Sequence, residues 1–452
     1  MLNILILAAG KGTRMHSDLP KVLHPVAGKP MLAHVIETAK QLSPSKILVV
    51  YGFGGDAVPD QFRHENIHWV QQAEQLGTGH AVMQALPFLD PDAKTLIMLG
   101  DVPLISVQTC QELLKNQAQL TLLTFAKANP SGYGRIVRNA QDEVVAIVEH
   151  KDASEEQRQI NEINTGIMAV NNHALSEWLK NLGNDNAQGE YYLTDIVGMA
   201  SQQGIAVGGV LAPNEPEITG INSKSDLAAI ERCYQQQQAA QLLLQGVTLS
   251  DPARIDIRGK LSVGRDVSID VGCVFEGEVH LADGVRIGPY CVIRNASIGV
   301  GTTIAAFTHI DDAEVGKQAK IGPYARLRPG TVLQDDTHVG NFVELKNAQV
   351  DVGSKINHLS YVGDTTVGKQ VNIGAGTITC NYDGVNKFRT VIGDNAFIGS
   401  DSQLIAPVTI GAGATIGAGS TISKDAPAGE LTVARGRQVT VSGWKRPEKI
   451  KK

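Results

Sequence analysis

The chain has 452 residues, of which 42% are hydrophobic and 19% charged, so we expect two or three globular domains rather than a disordered protein. The net charge of −6, without a visible basic face, excludes a nucleic-acid binder. The five cysteines form no Cys-x-x-Cys pair, which argues against a disulfide framework or a structural zinc site and fits a reducing cytoplasm. The apolar opening is too short for a signal peptide and no stretch could span a membrane, so we expect a cytoplasmic protein without membrane insertion.

The N-terminal half alternates short apolar runs with helical segments. In chain order, the pattern predicts strands at residues 4–8, 47–50 and 96–99 and helices at residues 30–42 and 78–86. This alternation is typical of an α/β domain with a Rossmann-like, mostly parallel sheet. Ligands bind such sheets at the carboxyl ends of the strands, which indicates Gly10 after the first strand and Gly100 with Asp101 after the strand at 96–99.

One long helix is predicted between the two halves, because residues 225–245 are rich in Ala, Gln and Leu and Gly246 can end the helix. We therefore divide the chain into an N-terminal domain (1–224), a linker helix (225–246) and a C-terminal domain with its tail (247–452).

The C-terminal half repeats every six residues from about 263 to 422. Aliphatic residues recur at this step and glycine often follows them, as in the run Ile392, Ile398, Leu404, Ile410, Ile416 and Ile422. A period of six is not helical; it describes a coil with three flat sides, in which one aliphatic residue of each side points inward. Three sides of six residues make one coil, so the segment predicts a β-helix of about nine coils.

The repeat has one clear interruption, between Ile373 and Ile392. The segment 380–388 (CNYDGVNKF) is polar and rich in turn-forming residues, so we expect it to leave the coil as an external loop. Loops on rigid scaffolds often carry function.

The coil length also predicts which residues stack. Lys346 follows Arg328 by one full coil, so we expect the two on neighbouring strands, about 4.8 Å apart. Two cations at that spacing repel unless an anion such as a sugar phosphate lies beside them. Spacing alone leaves a second interpretation open, in which both side chains extend into solvent.

Characteristic motifs are spread along the whole chain. The first half contributes residues 7–15 (LAAGKGTRM), 20–21 (PK), 72–81 (QAEQLGTGHA), 132–136 (GYGRI), 148–152 (VEHKD), 164–166 (NTG) and 186–192 (NAQGEYY). The second half contributes residues 326–330 (RLRPG), 341–346 (NFVELK) and 372–377 (NIGAGT). Together, these motifs resemble one family, the bacterial bifunctional N-acetylglucosamine-1-phosphate uridylyltransferases and glucosamine-1-phosphate acetyltransferases. The first motif is neither a P-loop nor a complete dinucleotide fingerprint, but its glycines let backbone N–H groups approach phosphates.

The resemblance implies a nucleotidyltransferase domain joined by the helix to a left-handed parallel β-helix of hexapeptide repeats. It implies acetyl transfer from acetyl-CoA to glucosamine 1-phosphate, followed by uridylyl transfer from UTP to N-acetylglucosamine 1-phosphate with release of pyrophosphate. The product would be UDP-N-acetylglucosamine, which feeds peptidoglycan and lipopolysaccharide synthesis. The family also implies Mg²⁺ as cofactor and a homotrimer assembled through the β-helix.

For the first site, the resemblance implies roles residue by residue. The uracil and ribose would contact Leu7, Ala8, Ala9, Gly10, Gln72, Gly77 and Thr78. Arg14 and Lys21 would be catalytic by neutralising the triphosphate. Leu99, Gly100 and Asp101 would bind the nucleotide or the sugar, and Asp101 and Asn222 would hold Mg²⁺. Gly134, Glu149 and Asn164 would bind the amino sugar. Leu99 departs from the family, which often has Tyr there. Taken singly, Asp101 could be only a turn residue and Lys21 only a solvated lysine.

For the second site, the resemblance implies that His358 is the general base. Glucosamine 1-phosphate would contact Arg328, Lys346, Tyr361, Asn372, Asn381 and Tyr382. Acetyl-CoA would contact Ala375, Asn381, Tyr382, Ser400, Ala418 and Arg435. Cys380 lies beside the loop, and we do not expect it to be catalytic.

Two other functions compete with the bifunctional enzyme. One is a single-activity sugar-1-phosphate nucleotidyltransferase whose β-helix only regulates or oligomerises; it would not need the region of His358 or the loop at 381–383. The other is a sensor of nucleotide sugars without activity, which should have lost Arg14, Lys21 or Asp101, yet all three are present.

Overall fold

The computed structural model describes residues 1–447 and 449, and the chain divides into two compact units, Met1–Gln235 and Gln236–Lys452. Residues 448 and 450–452, at the end of the predicted C-terminal domain, lie outside the described part. The long helix is present at Lys224–Leu244, and Gly246 follows it in the left-handed conformation. The division between the units falls inside this helix, and the domain limits given above stay a proposal.

The first unit contains the alternating strands and helices. Its strands are β1 (Leu2–Ala8), β2 (Pro25–Val26), β3 (Lys29–Pro30), β4 (Lys46–Tyr51), β5 (His68–Gln71), β6 (Lys94–Leu99), β7 (Leu120–Ala126), β8 (Arg135–Arg138), β9 (Val144–Val148), β10 (Glu162–Asn171) and β11 (Val207–Leu211). Its helices are α1 (Met31–Gln41), α2 (Ala57–Gln61), α3 (Thr78–Ala85), α4 (Val107–Lys115), α5 (Glu155–Arg158), α6 (Asn172–Leu179), α7 (Asp195–Gln202) and the long helix α8. Every predicted element of this half is present, with bounds close to the predicted ones.

The sheet of the first unit has the order β11-β7-β10-β6-β1-β4-β5. Its strands pair in parallel except β10, which runs antiparallel to both β6 and β7, and β8 and β9 form an antiparallel extension. Hydrophobic clusters pack on both faces of this sheet. The carboxyl ends of β1 and β6 lie side by side, since Leu7 pairs with Leu99. The segments that follow these strands therefore meet at one edge, where sheets of this kind bind ligands.

The second unit is the left-handed parallel β-helix. Its strands are β12 (Thr248–Leu249), β13 (Ile255–Val263), β14 (Ser268–Ile269), β15 (Cys273–Leu281), β16 (Arg286–Ile287), β17 (Val292–Ile298), β18 (Thr303–Ile304), β19 (His309–Val315), β20 (Lys320–Ile321), β21 (Arg326–Leu327), β22 (Thr331–Leu333), β23 (His338–Asn341), β24 (Glu344–Lys346), β25 (Gln349–Val350), β26 (Lys355–His358), β27 (Tyr361–Gly363), β28 (Thr365–Val367), β29 (Asn372–Ile373), β30 (Ile378–Cys380), β31 (Thr390–Ile392), β32 (Phe397–Ile398), β33 (Gln403–Ile405), β34 (Val408–Ile410), β35 (Thr415–Ile416), β36 (Thr421–Ile422) and β37 (Leu431–Thr432).

The predicted inward positions are the core of this unit. Each residue of the run from Ile392 to Ile422 is at most 2% exposed. The strand pairing also follows the predicted coil, because each step equals one coil or falls a single position short of it. The successive partners along one side are Ser268, Arg286, Thr303, Lys320, His338, Lys355 and Asn372.

The predicted external loop is confirmed. The next partner after Asn372 is Phe397, so this one step is clearly longer than a coil. The extra chain lies between β30 and β31, where the polar segment interrupts the repeat.

The β-helix is longer than predicted. Its pairing begins at Thr248 and ends at Thr432, and one side has eleven strands within the described residues instead of about nine. The extra strands lack the strict six-residue step: the first step, from Thr248 to Ser268, is longer than one coil, and the last, from Thr415 to Leu431, is shorter. No helix of the described chain is long and apolar enough to cross a membrane.

Candidate active sites

A cleft of about 560 Å³ lies at the carboxyl ends of β1 and β6. Several of the residues expected at the first site line it, namely Leu7, Arg14, Thr78, Leu99, Asp101, Gly134, Glu149, Asn164 and Asn222. The other expected residues do not line the cleft directly: Ala8, Ala9, Gly10, Lys21, Gln72, Gly77 and Gly100. The structure thus brings together segments from the beginning and the end of the first unit.

Lys21 links the two expected metal ligands. Its ammonium is 2.5 Å from Oδ2 of Asp101 and 3.2 Å from Oδ1 of Asn222. Both ligand atoms are oxygens, the donor type that Mg²⁺ prefers. Both also contact the same ammonium group, so they lie close enough together to bind one cation. This pair fits a magnesium ion that takes its remaining ligands from water and substrate phosphates. Lys21 is therefore not a freely solvated lysine.

The glycines of the first loop keep space open at the strand end. A Cβ on Gly12 would lie 2.6 Å from Cβ of Lys21, and Gly12 has a φ of +59°, so a larger residue would displace the lysine. By contrast, a Cβ on Gly10 would meet nothing within 4 Å, so a ligand can approach the backbone there. Gln72 lies behind this edge and donates to the carbonyl of Gly77 at 3.1 Å, which holds the start of α3 in place.

Glu149 presents a half-buried carboxylate to the other end of the cleft. Burial raises the pKa of Glu149, and Asp152 and Asp195 raise it further, against a hydrogen bond from Thr194 at 3.1 Å. A Cβ on Gly134 would lie 3.4 Å from both carboxylate oxygens, so the glycine leaves room in front of them. Sequence reasoning missed Thr194, which lines the cleft and orients the carboxylate, because no motif pointed to it.

Leu99 lines the cleft beside Asp101. Its side chain lies against Gly166, where an added Cβ would come within 2.8 Å of Leu99 Cδ1. The residue therefore gives the cleft an apolar wall beside Asp101 and no hydroxyl group.

A single column of residues runs along one corner of the β-helix. Asn341 pairs with His358, and the same register places Ala375, Ser400 and Ala418 at the corner two residues after β29, β32 and β35. The expected general base and three expected acetyl-CoA residues thus stack along the coil axis. Arg435 lies at the far end of this column and donates to the carbonyl of Ala418 at 2.9 Å.

Asn341 fixes the orientation of the His358 ring. Nδ1 of His358 is 2.9 Å from Oδ1 of Asn341. An amide oxygen only accepts hydrogen bonds, so this contact places the proton on Nδ1 and leaves the lone pair on Nε2. His358 is exposed, and its free nitrogen is therefore available to a substrate.

Arg328 and Lys346 lie side by side, as the coil length predicted. Arg326 pairs with Glu344 and Leu327 with Leu345, and the next pair in this register is Arg328 with Lys346. Arg328 also forms an ion pair with Glu344 at 2.7 Å, so it does not simply extend into solvent.

A third cation completes this patch. Lys387, from the external loop, lowers the pKa of Lys346 through a direct contact, burial and Arg328 lower it further, and the carboxylate of Asp364 acts in the opposite direction. Lys387 could not be predicted from the sequence because it lies in the irregular loop, where no coil spacing applies. A cluster of three cations that lowers the pKa of one of its members indicates a place that favours an anion.

The remaining sugar-phosphate residues are spread over two faces of the β-helix. The hydroxyl of Tyr361 lies over Gly363, which pairs with Lys346. Asn372 is on the other face and pairs with Lys355, three positions before His358 along that strand. Asn372 and the cation patch therefore belong to different faces of the β-helix.

The external loop separates its two expected ligand contacts. Asn381 is buried and its amide donates to Asp364, so its side chain points into the coil. Tyr382 is 59% exposed at the start of the loop. Burial raises the pKa of the neighbouring Cys380 thiol, which fits the expectation that this cysteine is not a nucleophile.

Sequence families match both units. Residues 4–246 match the MobA-like NTP transferase domain, residues 389–424 match the bacterial transferase hexapeptide repeats, and residues 257–352 match the GMPPB C-terminal domain. A solved structure of UDP-glucose pyrophosphorylase complexed with UDP-glucose aligns with 52% of this chain and 99% of its own, at 19% identity and a TM-score of 0.44.

Relatives match the entire chain. The bifunctional protein GlmU of Methylobacillus flagellatus is 70% identical over 100% of this chain and 98% of its own length. The chain belongs to the GlmU family. The GlmU proteins of Cupriavidus pinatubonensis and Chromobacterium violaceum are each 58% identical over 99% of both chains.

Family membership confirms the bifunctional enzyme. Like its GlmU relatives, the chain is both a uridylyltransferase for N-acetylglucosamine 1-phosphate and an acetyltransferase for glucosamine 1-phosphate. The single-activity nucleotidyltransferase and the inactive sensor are therefore not favoured.

Proposed function

We propose that the two activities are divided between the cleft of the first unit and the corner column of the second, with acetyl transfer first. The observation that carries this division is the column itself, since it aligns His358 with small residues and ends at Arg435. At a strand spacing of about 4.8 Å, the three steps from His358 to Ala418 span roughly 14 Å. Ala375, Ser400 and Ala418 leave space along this line for the extended arm of acetyl-CoA.

At the column, the sugar amine attacks the thioester carbon of acetyl-CoA. Nε2 of His358 takes the proton that the nitrogen loses as the C–N bond forms, and the C–S bond breaks to release the coenzyme as a thiolate, which then gains a proton. Arg328, Lys346 and Lys387 hold the phosphate of the sugar, because together they offer three charge-assisted donors.

At the cleft, an oxygen of the sugar phosphate attacks the α-phosphorus of UTP while the bond to pyrophosphate breaks. Arg14 and Lys21 neutralise the triphosphate, and Glu149 accepts hydrogen bonds from the amino sugar. Mg²⁺, when bound by Asp101 and Asn222, supplies positive charge to the phosphates and aligns the reacting groups. The cleft therefore needs little acid–base chemistry.

The acetyltransferase site also supports a homotrimer. Asn372 lies on a different face of the β-helix from the cation patch, which fits a site that a neighbouring copy completes. We expect mass photometry to give three times the mass of one chain, and dilution into monomers to abolish acetyl transfer while pyrophosphate release persists. The consumption of acetyl-CoA and UTP and the scattered thiols favour work in the cytoplasm.

One assay pair tests the division of labour. The protein is incubated with acetyl-CoA and glucosamine 1-phosphate, and free thiol is followed; a second reaction with UTP, Mg²⁺ and N-acetylglucosamine 1-phosphate follows pyrophosphate. The proposal expects His358→Ala to lose thiol release alone and Asp101→Asn to lose pyrophosphate release alone. It fails if either substitution removes both activities from a folded protein.

A further inference from the structure

The external loop of the β-helix, residues 381–388, is not stacked on a neighbouring coil. The segment 381–388 leaves the column of strands after β30 and returns before β31, and its closing contact is the N–H of Phe388 on the carbonyl of Asn381, at 2.8 Å. Because the loop is not stacked between strands as the coils are, contacts at its base have to hold it in position. The loop carries Tyr382 and Lys387, so its position decides where both side chains point.

Asp364 contacts both ends of this loop. Its Oδ2 accepts a hydrogen bond from the amide of Asn381, where the chain leaves the coil. Its backbone carbonyl accepts from the N–H of Thr390 at 3.2 Å, where the chain returns. Its Oδ1 accepts from the amide of Asn347 at 2.6 Å, which ties the carboxylate to the preceding coil.

The Asp364 carboxylate is buried and charged. The residue is only 9% exposed, and burial alone would raise its pKa. The hydrogen bonds from Asn347 and Asn381, together with the charges of Lys346 and Lys387, outweigh burial and lower the pKa instead. Both oxygens therefore remain acceptors at neutral pH, and a buried carboxylate with two amide donors is costly to displace.

The fold offers an internal comparison at Asp312. Asp312 and Asp364 occupy the same corner of the coil and share a φ of +47°, a conformation in which Asp, Asn and Gly are favoured. Asp312 is exposed, and its carboxylate makes no hydrogen bond within the described residues. Corner geometry thus explains an aspartate at both positions, whereas the buried contacts to the loop belong to Asp364.

We propose that Asp364 is a positioning residue of the acetyltransferase site, which fixes the loop 381–388 and so places Lys387 beside Lys346 and Tyr382 at the substrate. This inference rests on the proposed location of acetyl transfer. Asp364 touches none of the substrates in this scheme; it acts through Asn381 and Thr390.

The first test compares Asp364→Ala with Asp312→Ala in the full-length protein. Both substitutions lose the same backbone preference, so their difference reports the buried contacts. In Asp364→Ala we expect amide hydrogen exchange of the segment 382–388 to accelerate about tenfold or more, and kcat/KM for acetyl transfer to fall about tenfold to a hundredfold. Asp312→Ala should change neither by more than about twofold, and pyrophosphate release should be normal in both.

An exchange of the two partners guards against a trivial loss of folding. Asn381→Asp alone places two carboxylates face to face, which should loosen the loop as strongly as Asp364→Ala does. Adding Asp364→Asn restores one donor and one acceptor, and it should return the hydrogen exchange of 382–388 to within about threefold of wild type.

The outcomes separate this inference from the proposed function. Equal loop exchange in Asp364→Ala and Asp312→Ala, or no recovery in the double variant, overturns the positioning role. If Asp364→Ala loosens the loop but retains full acetyl transfer, the loop is anchored as described yet does not position the site, and the proposal is likewise wrong. If wild type releases no thiol from acetyl-CoA, the proposed location of acetyl transfer fails, whatever the loop does.

Discussion

The two sites of this enzyme are assembled by different rules. In the cleft of the first unit, Leu7, Asp101 and Asn222 come from distant parts of the chain and meet because two strands end at the same edge. In the β-helix, His358 and Ala375 meet because they are one coil apart. Sequence spacing therefore predicts neighbours in the second unit, whereas in the first it predicts only which strand end a residue follows.

The largest expected difference between the two sites concerns the general base, His358. We expect His358→Ala to reduce kcat for acetyl transfer by about a hundredfold to ten-thousandfold, because the amine loses its proton acceptor. Steady-state thiol release measures this, and pyrophosphate release from UTP should remain at the wild-type rate. A variant that keeps full acetyl transfer with an unchanged circular dichroism spectrum would remove His358 from the mechanism.

The corresponding change in the cleft is Asp101→Asn. Loss of a charged ligand should weaken Mg²⁺ binding and lower kcat/KM for uridylyl transfer by about a thousandfold, equivalent to about 4 kcal/mol of transition-state stabilisation. Titration with Mn²⁺ followed by electron paramagnetic resonance should show weaker binding. Acetyl transfer by the same preparation is the control, and equal Mn²⁺ affinity would contradict the role of Asp101.

Glu149 should give the cleft of the first unit a pH dependence of its own. Its pKa is raised by burial, so the carboxylate is lost at a higher pH than an ordinary glutamate as the solution is acidified. The KM for N-acetylglucosamine 1-phosphate should therefore rise on acidification at a higher pH than an ordinary glutamate would cause. Glu149→Gln should raise KM by about tenfold and remove this pH dependence. A pH profile that is identical in wild type and Glu149→Gln would show that the carboxylate does not bind the sugar.

The cation patch of Arg328, Lys346 and Lys387 should give the opposite pH dependence, in which KM rises as the pH increases. Contact with Lys387 lowers the pKa of Lys346, so Lys346 loses its proton earlier as pH rises, and the KM for glucosamine 1-phosphate should increase on the alkaline side. Lys387→Ala should raise KM about tenfold at neutral pH but move this alkaline increase to higher pH, since Lys346 no longer faces a second ammonium. An alkaline limb that stays in place would contradict the coupling.

The smallest expected effect concerns Asn341. Asn341→Ala removes the acceptor for Nδ1 of His358, so the ring can adopt the unproductive tautomer. We expect kcat for acetyl transfer to fall about threefold to tenfold with KM for both substrates nearly unchanged. A rise in KM alone would mean that Asn341 binds substrate and does not orient the base.

Sequence reasoning reached furthest where a physical period existed. The inward residues, the external loop and the stacking of Arg328 on Lys346 all followed from the six-residue step. The extra coils at both ends escaped because their steps, which begin at Thr248 and at Thr415, depart from the repeat. Side-chain contacts from irregular segments leave no pattern in the sequence, and for this reason Thr194 and Lys387 escaped as well.

In the first unit, composition and alternation predicted the strands and the edge at which ligands bind. They could not predict that β10 runs antiparallel, since a single apolar run carries no direction. The contact of Lys21 with both Asp101 and Asn222 joins the beginning of this unit to its end, and only the resemblance to a family had placed Asn222 at this site.

At the long step of the β-helix, from Asn372 to Phe397, residues that are far apart in the sequence still occupy neighbouring positions on one face. Ala375 and Ser400 are neighbours in the column although the whole external loop lies between them, just as Ser400 and Ala418 are neighbours at the ordinary step of one coil. The corner after Cys380 thus tolerates an insertion: residues can be added there without changing the register of the strands before and after it. Such a scaffold can therefore acquire new functional residues in a loop at one corner while all other side chains keep their positions.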